Sequence, residues 1–365
     1  MGNPSINKLQ ATMQSQEIAN LLISDPISIG YLTQYQVGPG ERLLLLILKA
    51  DGQMYLILNQ LFPAYQGDQE NLEVITYHDG QAIMSQIAKI LDPGRTGVDK
   101  TWPSAFLLEL MQERPALTFL NGSPLIDDLR AIKSQDEIDR MREASHRNDQ
   151  AMAQMVELAK QGLSEQAMRD HLAKIYSDLD CNGFSFEPII AYGSNGADPH
   201  HETDHTLPQA GNSLVIDIGS SYKQYCSDMT RTLFYGPISD RDRTIYETVL
   251  AANLAAIQAV KPGVTFASID RTARQVIEEA GYGEYFTHRL GHSIGRDVHE
   301  AGDVGPFNED LIQVGQVFSI EPGIYIPGEM GVRIEDLVVV TEDGCEVLNQ
   351  YPKDLLIIDL PQAED

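Results

Sequence analysis

Two segments of this sequence are apolar enough to form buried β-strands, and each of them carries an aspartate. Asp217 lies in VIDIG, and Asp228 lies in SDMTRT. A hairpin that turns between Tyr222 and Lys223 would place the aspartates directly opposite each other, with their Cβ atoms about 5 Å apart. Carboxylates that close, in a poorly solvated place, cannot both be ionised without a proton or a cation between them. The apolar neighbours argue against an exposed hairpin, so we interpret the pair as a buried acidic site that needs a cation.

Further candidate ligands for that cation lie downstream in two stretches. FTHRLGHSIGRDVHE contains three of the nine histidines, and FSIEPGIYIPGEMGVRIEDLVVV contains two glutamates that lie beside strand-like apolar runs. Charged residues beside such runs usually need a partner. The candidates are His288, His292, His299, Glu321 and Glu335. Core packing alone does not explain such a cluster of histidines, so the sequence predicts that some of them share the site with the carboxylates.

The same plan occurs twice in the last two thirds of the chain. Each time, two predicted helices are followed by strand-like runs that carry two acidic residues. Glu321 lies 104 residues after Asp217, and Glu335 lies 107 residues after Asp228. This near-constant offset predicts two related halves, and coincidence between two ordinary α+β segments is the alternative. The expected helices are 134–162, 164–179, 240–260 and 266–280.

Residues 1–128 alternate strand-like and helix-like segments, which predicts a small α/β domain with a largely parallel or mixed sheet. The only histidine in this region is His78, and no carboxylates cluster on its strands, so we expect no chemistry there. Residues 121–124, NGSP, have the composition of a turn, and we therefore expect two domains, 1–128 and 129–365. The expected strands are 17–24, 42–49, 53–58, 72–77 and 117–120, and the expected helices are 81–91 and 104–112.

Composition narrows the classes of function. A net charge of −27 repels phosphate backbones, so we expect no nucleic-acid partner. The chain has no run of 18 apolar residues, which argues against a membrane span. The N-terminus lacks a basic-then-apolar signal, which predicts a cytoplasmic protein. The three cysteines form no CxxC motif, which argues against a disulfide framework or a zinc knuckle.

One short motif competes with the carboxylate site. Residues 201–205, HETDH, fit HExxH, the signature of zinc-protease helices. That chemistry requires a helix, because both histidines must lie on one face. Prolines flank this segment on both sides, and it has no apolar helical stripe. We therefore expect a loop that supplies one substrate-facing histidine.

The motifs DIG, SDMTRT, GHSIG, VHE, SIEPGIY and RIED resemble those of the pita-bread metallopeptidases, which include methionine aminopeptidases, aminopeptidase P and Xaa-Pro dipeptidases. The first domain is similar to the one that the Xaa-Pro-specific branch shares with creatinase, and residues 129–144 resemble the interdomain helix of that branch. The resemblance implies an α+β fold in which a pita-bread domain with pseudo-twofold αα-ββ halves follows a smaller α/β creatinase-like domain.

Residue by residue, the resemblance implies a two-metal site. Asp217 would chelate one ion, Asp228 and Glu335 would bridge both ions, and His292 and Glu321 would hold the other. In this family, the residue that matches Glu321 is also proposed to take the proton from the metal-bridging water. Four carboxylates and one imidazole form a hard donor set. We therefore expect two divalent ions, manganese first, with cobalt and zinc as alternatives.

The resemblance also assigns the side chains around the metals. His288 and His299 match histidines that hold the substrate and the developing tetrahedral intermediate. His200 follows a proline as the substrate-side histidine of the family does, and Arg333 matches an arginine behind the ligands. Arg296 stands where many relatives have an apolar residue, and we expect it to add positive charge near the site.

The activity implied by the resemblance is hydrolysis of the bond between an N-terminal residue and proline. The compact chain, with short connections between its motifs, favours an Xaa-Pro dipeptidase over aminopeptidase P, which acts on longer Xaa-Pro peptides. A non-catalytic binding module and a metal-independent creatinase-type amidinohydrolase are the alternatives, and the presence of all five predicted ligands argues against both. The expected partners are Xaa-Pro dipeptides or short peptides and a second copy in a homodimer.

Overall fold

The structure, a computed structural model, describes residues 4–361. The chain separates between Arg130 and Ala131 into two units, and each unit has its own sheets and apolar core. The domain boundary expected from the sequence, at 128/129, lies two residues before this point. Among the described helices, none is both long and apolar enough to cross a membrane.

A mixed sheet organises the first unit. Its described strands are β1 (Ile18–Ile23), β2 (Leu45–Lys49), β3 (Met54–Asn59), β4 (Leu72–Tyr77), β5 (Arg95–Val98) and β6 (Thr118–Asn121). They lie in the order β4-β3-β2-β1-β5-β6, in which β1 pairs antiparallel with β2 and parallel with β5. The helices of this unit are α1 (Pro4–Ser15), α2 (Pro26–Thr33), α3 (Ile83–Ile90), α4 (Ser104–Glu113) and α5 (Ser123–Ala131).

Both faces of this sheet are covered, which explains why its strands β1, β2 and β3 are almost continuously apolar. Successive side chains of a strand point to opposite faces. Leu21 on β1 packs in one core with residues of α1, α2 and α5, and its neighbour Leu22 packs in the other core with residues of α3 and α4. The small α/β domain expected from the sequence is therefore confirmed.

Three elements of this unit, α1, α2 and β5, were not expected from the sequence. The turn expected at 121–124 is wrong, because α5 begins at Ser123. Proline is the first residue of α2 and the second residue of α5, since a residue without an N–H is tolerated in the first helical turn. Asp25 caps α2, because its carboxylate accepts hydrogen bonds from the backbone N–H groups of Ile27 and Ser28. A proline beside a capping residue is therefore compatible with the start of a helix and not only with a turn.

The second unit contains the helix pairs expected from the sequence. Its helices are α6 (Gln135–Ala159), α7 (Glu165–Asp178), α8 (Asp240–Ala259) and α9 (Phe266–Glu279). The start of α6 is fixed locally, because the carboxylate of Glu137 accepts from the backbone N–H of Ser134 at 2.8 Å and from its hydroxyl at 2.7 Å. This reciprocal cap is the feature that made the start of the helix predictable.

Strands follow each helix pair of the second unit. After α7 come β7 (Ile189–Tyr192), β8 (Ser213–Ile218), β9 (Ser221–Tyr222), β10 (Tyr225–Cys226) and β11 (Met229–Tyr235). After α9 come β12 (Gly291–Ser293), β13 (Glu300–Val304), β14 (Val317–Ile320), β15 (Gly323–Ile326), β16 (Met330–Arg333), β17 (Asp336–Val340), β18 (Cys345–Val347) and β19 (Ile357–Ile358). The main sheets have the orders β19-β11-β8-β7 and β13-β12-β14-β17-β18.

The repeated plan places acidic residues at matching points of the two main sheets. The central pairs, β8 with β11 and β14 with β17, are both antiparallel. Asp217 is the second-last residue of β8, and Asp228 directly precedes β11. In the other sheet, Glu321 directly follows β14 and Glu335 directly precedes β17. Each central pair therefore carries two carboxylates at one end of its ladder.

The register of the first hairpin differs by two residues from the register expected from the sequence. Thr230, and not Asp228, lies opposite Asp217. The turn falls between Lys223 and Gln224, one residue later than expected, and these residues have φ values of 46° and 70°. Two positive φ values are what a type I′ hairpin turn requires. Asp228 is thus a diagonal neighbour of Asp217, and both side chains still point to the same face.

Candidate metal centre

The five expected ligands and the four side chains expected to contact substrate or support the ligands all line one cavity of about 980 Å³ in the second unit. The five expected ligands are Asp217 on β8, Asp228 before β11, His292 on β12, Glu321 after β14 and Glu335 before β17. The remaining four are His200, His288, His299 and Arg333. The carboxylates meet because both central strand pairs end at this cavity.

The predicted ligands approach one another closely. The Nε2 atom of His292 lies 3.4 Å from Oε1 of Glu321 and 3.7 Å from Oδ2 of Asp228. Ligand atoms of Asp228, His292 and Glu335 all lie within 4.8 Å of one another. This spacing gives a small cluster of oxygen donors and one nitrogen donor around a common centre.

Several carboxylate oxygens in this cluster are buried without a partner. Oδ1 of Asp217, Oδ1 of Asp228 and Oε1 of Glu335 have no hydrogen-bond donor and almost no solvent contact. A buried charged group without a partner is costly. Hard divalent cations bind carboxylate oxygens together with neutral imidazole nitrogen. The donor set and the orphaned oxygens therefore fit divalent metal ions.

The pKa values show how strongly the metal-free cluster favours uncharged side chains. Burial raises the pKa of Asp228 well above its usual value, and the charges of Glu335 and Asp217 raise it further. Burial and the charge of Glu321 raise the pKa of Glu335 in the same way. Burial also raises the pKa of Glu321 to about 7 and lowers the pKa of His292 to about 3. His292 is therefore neutral, which is the form that binds metal.

Hydrogen bonds from neighbouring side chains orient the carboxylates. Arg333 donates from Nη2 to Oδ2 of Asp217 at 2.7 Å and from Nε to the hydroxyl oxygen of Thr230 at 3.1 Å. The same hydroxyl of Thr230 donates to Oε2 of Glu335 at 2.7 Å. The hydroxyl of Ser319 donates to Oε1 of Glu321 at 3.1 Å. In each of these carboxylates, one oxygen accepts a hydrogen bond and the other oxygen is left to bind a metal ion, as is usual for metal-binding carboxylates.

His288 lies at the end of a chain of hydrogen bonds that starts at Arg333. Arg333 donates from Nη1 to the hydroxyl of Tyr325 at 2.9 Å, and that hydroxyl lies 2.9 Å from Nε2 of His288. Nδ1 of His288 lies 2.7 Å from the carbonyl oxygen of Arg289, which can only accept, so Nδ1 carries the hydrogen. Burial, followed by the charge of Arg333, lowers the pKa of His288 to about 4. His288 is therefore neutral, and Nε2 accepts from Tyr325.

The other two predicted histidines line the cavity beside the metal cluster. The ring of His299 lies 4.3 Å from the ring of His292, nearly perpendicular to it. Burial lowers the pKa of His299, so it is neutral as well. The exposed His200 is placed by its backbone N–H, which donates to Oδ1 of Asp198 at 2.9 Å.

The HExxH segment is not helical. Nε2 of His201 lies 2.8 Å from Oε2 of Glu165, which is fully buried at the start of α7. Glu165 also accepts from the backbone N–H groups of Tyr192 and Asp204, at 2.8 and 3.0 Å, and from the amide of Asn195 at 2.9 Å. Glu165, His201 and Asp204 are close enough to hold a metal, but the oxygens of Glu165 are already used. The expectation of a loop is confirmed.

Two contacts around the cavity were not foreseen from the sequence. Tyr325 links His288 to Arg333, but a tyrosine within an apolar strand carries no sequence signal for that role. Arg296 does not line the cavity; its guanidinium donates to the amide oxygen of Gln224 and lies 5.5 Å from the ring of Tyr225. Arg289, next to His288, contributes positive charge to the wall. The loop of Arg296 directs its side chain toward the hairpin, and an effect of its charge on the site stays a prediction.

Comparison with known families identifies both units. The profile of metallopeptidase family M24 matches residues 139–342. The profile of the creatinase/prolidase N-terminal domain matches residues 6–132. Together they cover most of the chain, and they agree with the pita-bread and creatinase-like domains expected from the sequence.

Individual relatives match over nearly their whole length. An uncharacterized peptidase of Staphylococcus aureus (strain MSSA476) is 34% identical over 355 residues, which are 95% of this chain and 99% of the relative. The crystal structure of a recombinant prolidase from Thermococcus sibiricus matches with a TM-score of 0.91 and 33% identity, covering 97% of this chain and 98% of that one. Dipeptidase PepE from Mycobacterium ulcerans matches with a TM-score of 0.91 and 33% identity, covering 98% and 97%.

Glu321 gives the metal-free protein an expected pH dependence. Its pKa is about 7 in the folded protein and 4.5 as the ordinary value, so between these values the folded state binds more protons than the unfolded chain. Stability is therefore lost as the pH rises. We expect Glu321 to lower the free energy of unfolding of the chelated protein by about 1–3 kcal/mol from about pH 4.5 to about pH 7. Urea unfolding at several pH values measures this effect.

The matched control for this experiment is Glu321→Gln, whose side chain is neutral at every pH. The difference between the unfolding free energies of wild type and variant should become less favourable to wild type as the pH rises. A difference that stays constant, or one that changes in the opposite direction, would contradict the burial of this carboxyl in the metal-free protein.

Proposed function

The chain belongs to metallopeptidase family M24, and from this membership we propose that it is an Xaa-Pro dipeptidase, which hydrolyses the bond between an N-terminal residue and proline. The observation that carries the proposal is the convergence of four carboxylates and His292 on one cavity, with buried oxygens that lack partners. The similarity to the Thermococcus prolidase extends over both units, which supports the choice of this activity within the family.

The donor set of the cavity fits two divalent ions, and the family resemblance supports the assignment of its ligands. Asp217, Asp228, His292, Glu321 and Glu335 would hold the two ions. The hard oxygen-rich set supports manganese as the native metal, ahead of cobalt or zinc. When bound, such ions lower the pKa of a water molecule and polarise the scissile carbonyl.

Glu321 is the side chain that we assign to proton transfer. It lies beside His292 with 17% of its side chain exposed to the cavity, and Ser319 orients it through Oε1. A carboxylate in that place accepts a proton from the attacking water and returns it to the leaving proline nitrogen. His288 and His299, both neutral, line the same cavity, and we assign them to contacts with the substrate.

The cavity wall suits a proline substrate. A bond to proline is a tertiary amide without an N–H, and the ring fixes the backbone. A site for it needs apolar surface for the ring in place of a backbone acceptor for that missing N–H. Phe186, Pro188, Ile189 and Val298 line the cavity and supply such surface.

The choice between dipeptides and longer peptides depends on positive charge in the wall. Arg169 and Arg289 both line the cavity, and each pairs with a partly exposed carboxylate, Glu187 and Asp303 respectively. A guanidinium binds a free carboxylate well, so an arginine here supports recognition of a dipeptide. Aminopeptidase P activity on longer peptides is the second candidate. Manganese, the cytoplasmic location and the homodimer stay predictions.

The ligand and substrate roles are separable by metal analysis. Asp228→Ala should abolish metal loading and activity together, because a buried ligand is lost. His288→Ala and His299→Ala should keep their metal and lower kcat, because each removes a contact to the reacting substrate. Elemental analysis after chelation and reloading with Mn²⁺, combined with steady-state kinetics on Ala-Pro, measures both quantities.

His205→Ala is the control for the competing HExxH motif. His205 is exposed and does not line the cavity, so this variant should bind metal and turn over substrate like wild type. Loss of metal from His288→Ala or from His299→Ala would show that the roles are misassigned. Loss of metal from His205→Ala would revive the zinc-helix hypothesis.

Substrate preference tests the proposed activity itself. With Mn²⁺ loaded, Ala-Pro and Met-Pro should be hydrolysed, and Ala-Ala should be cleaved much more slowly, because it places no ring against the apolar wall. Initial rates over a range of concentrations give kcat/KM for each dipeptide. Equal values for Ala-Pro and Ala-Ala would refute proline specificity, and faster turnover of Ala-Pro-Ala than of Ala-Pro would favour the aminopeptidase P alternative.

A further inference from the structure

Helix α9 carries a largely buried ion pair outside the metal cluster. Asp270 is fully buried, and Arg274 lies one turn later on the same face. Nε of Arg274 donates to Oδ2 of Asp270 at 2.9 Å, and Nη2 donates to Oδ1 at 3.0 Å. Such a bidentate arrangement fixes the plane of the guanidinium. The remaining donors of the arginine therefore point in defined directions.

Those donors hold the segment that carries His288. Nη1 of Arg274 donates to the carbonyl of Phe286 at 2.9 Å, and Nη2 donates to the carbonyl of His288 at 3.0 Å. Oδ1 of Asp270 accepts from the backbone N–H of Leu290 at 3.1 Å. The guanidinium also lies 4.2 Å from the centre of the Phe286 ring. The ion pair thus binds every second residue from 286 to 290.

This segment has no helix or strand of its own. Backbone groups in an irregular, partly buried segment need partners from elsewhere in the fold. The pair on α9 provides partners at three successive points, with His288 at the middle one. The imidazole of His288 then makes the contacts to Arg289 and Tyr325 that set its tautomer.

We propose that Asp270 and Arg274 are positioning residues, which hold the backbone of residues 286–290 so that the His288 imidazole faces the substrate in the cavity. This inference rests on the proposed function, because His288 is the group through which the pair acts. Neither Asp270 nor Arg274 lines the cavity. Their effect on the reaction must therefore pass through the histidine segment.

The first test is Arg274→Lys in the metal-loaded protein. Lysine keeps the positive charge, but its single nitrogen cannot replace the planar fork of three nitrogens that binds both oxygens of Asp270 and two carbonyls. We expect kcat/KM on Ala-Pro to fall about tenfold to a hundredfold, the cost of a misplaced catalytic group, with metal content unchanged. The matched control is Arg271→Lys on the same helix. Arg271 is 59% exposed and pairs with Glu309 at 3.6 Å, so this variant should be as active as wild type.

A double-mutant cycle shows whether the pair acts through His288. When two residues act as a unit, the effects of their substitutions on kcat/KM are not additive in free energy. In the His288→Ala background, Arg274→Lys should cause little further loss of kcat/KM. The proposal would be overturned if the double variant lost kcat/KM by the product of the two single losses. Full activity of Arg274→Lys in the wild-type background would also overturn it.

NMR spectroscopy of the His288 imidazole tests the positioning role independently of catalysis. In zinc-loaded protein with ¹⁵N-labelled histidine, His288 should show a neutral imidazole protonated at Nδ1, assigned by comparison with His288→Gln. Arg274→Lys should lose or shift this signal, and Arg271→Lys should retain it. An unchanged signal in Arg274→Lys would overturn the proposal. A wild type that is inactive on Ala-Pro would contradict the proposed function alone, because the spectrum still decides the positioning role.

Asp270→Asn provides a second variant in case Arg274→Lys does not fold. Asparagine keeps an acceptor for the N–H of Leu290 but loses the charge that holds Arg274. It should produce the same change in the His288 signal and the same non-additivity with His288→Ala. A folded Asp270→Asn protein with the wild-type signal would also overturn the proposal.

Discussion

Repulsion between buried carboxylates is the constraint on which this catalytic unit depends. Asp217, Asp228, Glu321 and Glu335 all line one cavity, and several of their oxygens have no partner. Burial and mutual charge raise the pKa of Asp228 and Glu335 well above their usual values. Without cations, this arrangement of carboxylates is unfavourable for the folded state. Cations that bind between the carboxylates stabilise the folded state, because any ligand that binds only this state stabilises it.

The architecture around the cavity serves to bring these groups together. Each of the two helix pairs is followed by a sheet whose central strands end at the cavity with two carboxylates. Apolar residues on the other side of each sheet pack against its helix pair, as Ile216 does in one half and Phe318 in the other. The strands are thus held by the core at one side and carry charge at their ends. Arg333 and Thr230 connect the halves through hydrogen bonds to Asp217 and Glu335.

The parts of the structure with strong local signals were predictable from the sequence. The cap formed by Ser134 and Glu137 marked the start of α6, and acidic residues within apolar strands marked the cavity. The hairpin register was missed because its type I′ turn uses Lys223 and Gln224 in place of the Asn-Gly pair that usually signals it. The structure also revealed contacts that no local pattern encodes, such as the link from Arg333 to His288 through Tyr325.

The histidines show why residue type alone does not define a role. His201 is tied to the buried Glu165 and stabilises a loop, whereas His292 lies among the carboxylates. His288 is held from outside the cavity by Arg274 and Asp270. The sequences around these histidines are similarly rich in polar residues. Only the fold distinguishes the histidine that stabilises a loop from the metal ligand and from the residue that contacts the substrate.

Anomalous diffraction from crystals soaked in Mn²⁺ tests the two-metal site without reference to activity, because it locates the bound ions themselves. We predict two anomalous peaks per chain within the cluster of Asp217, Asp228, His292, Glu321 and Glu335. A peak between Glu165, His201 and Asp204, or crystals that bind no metal at the carboxylates, would contradict it.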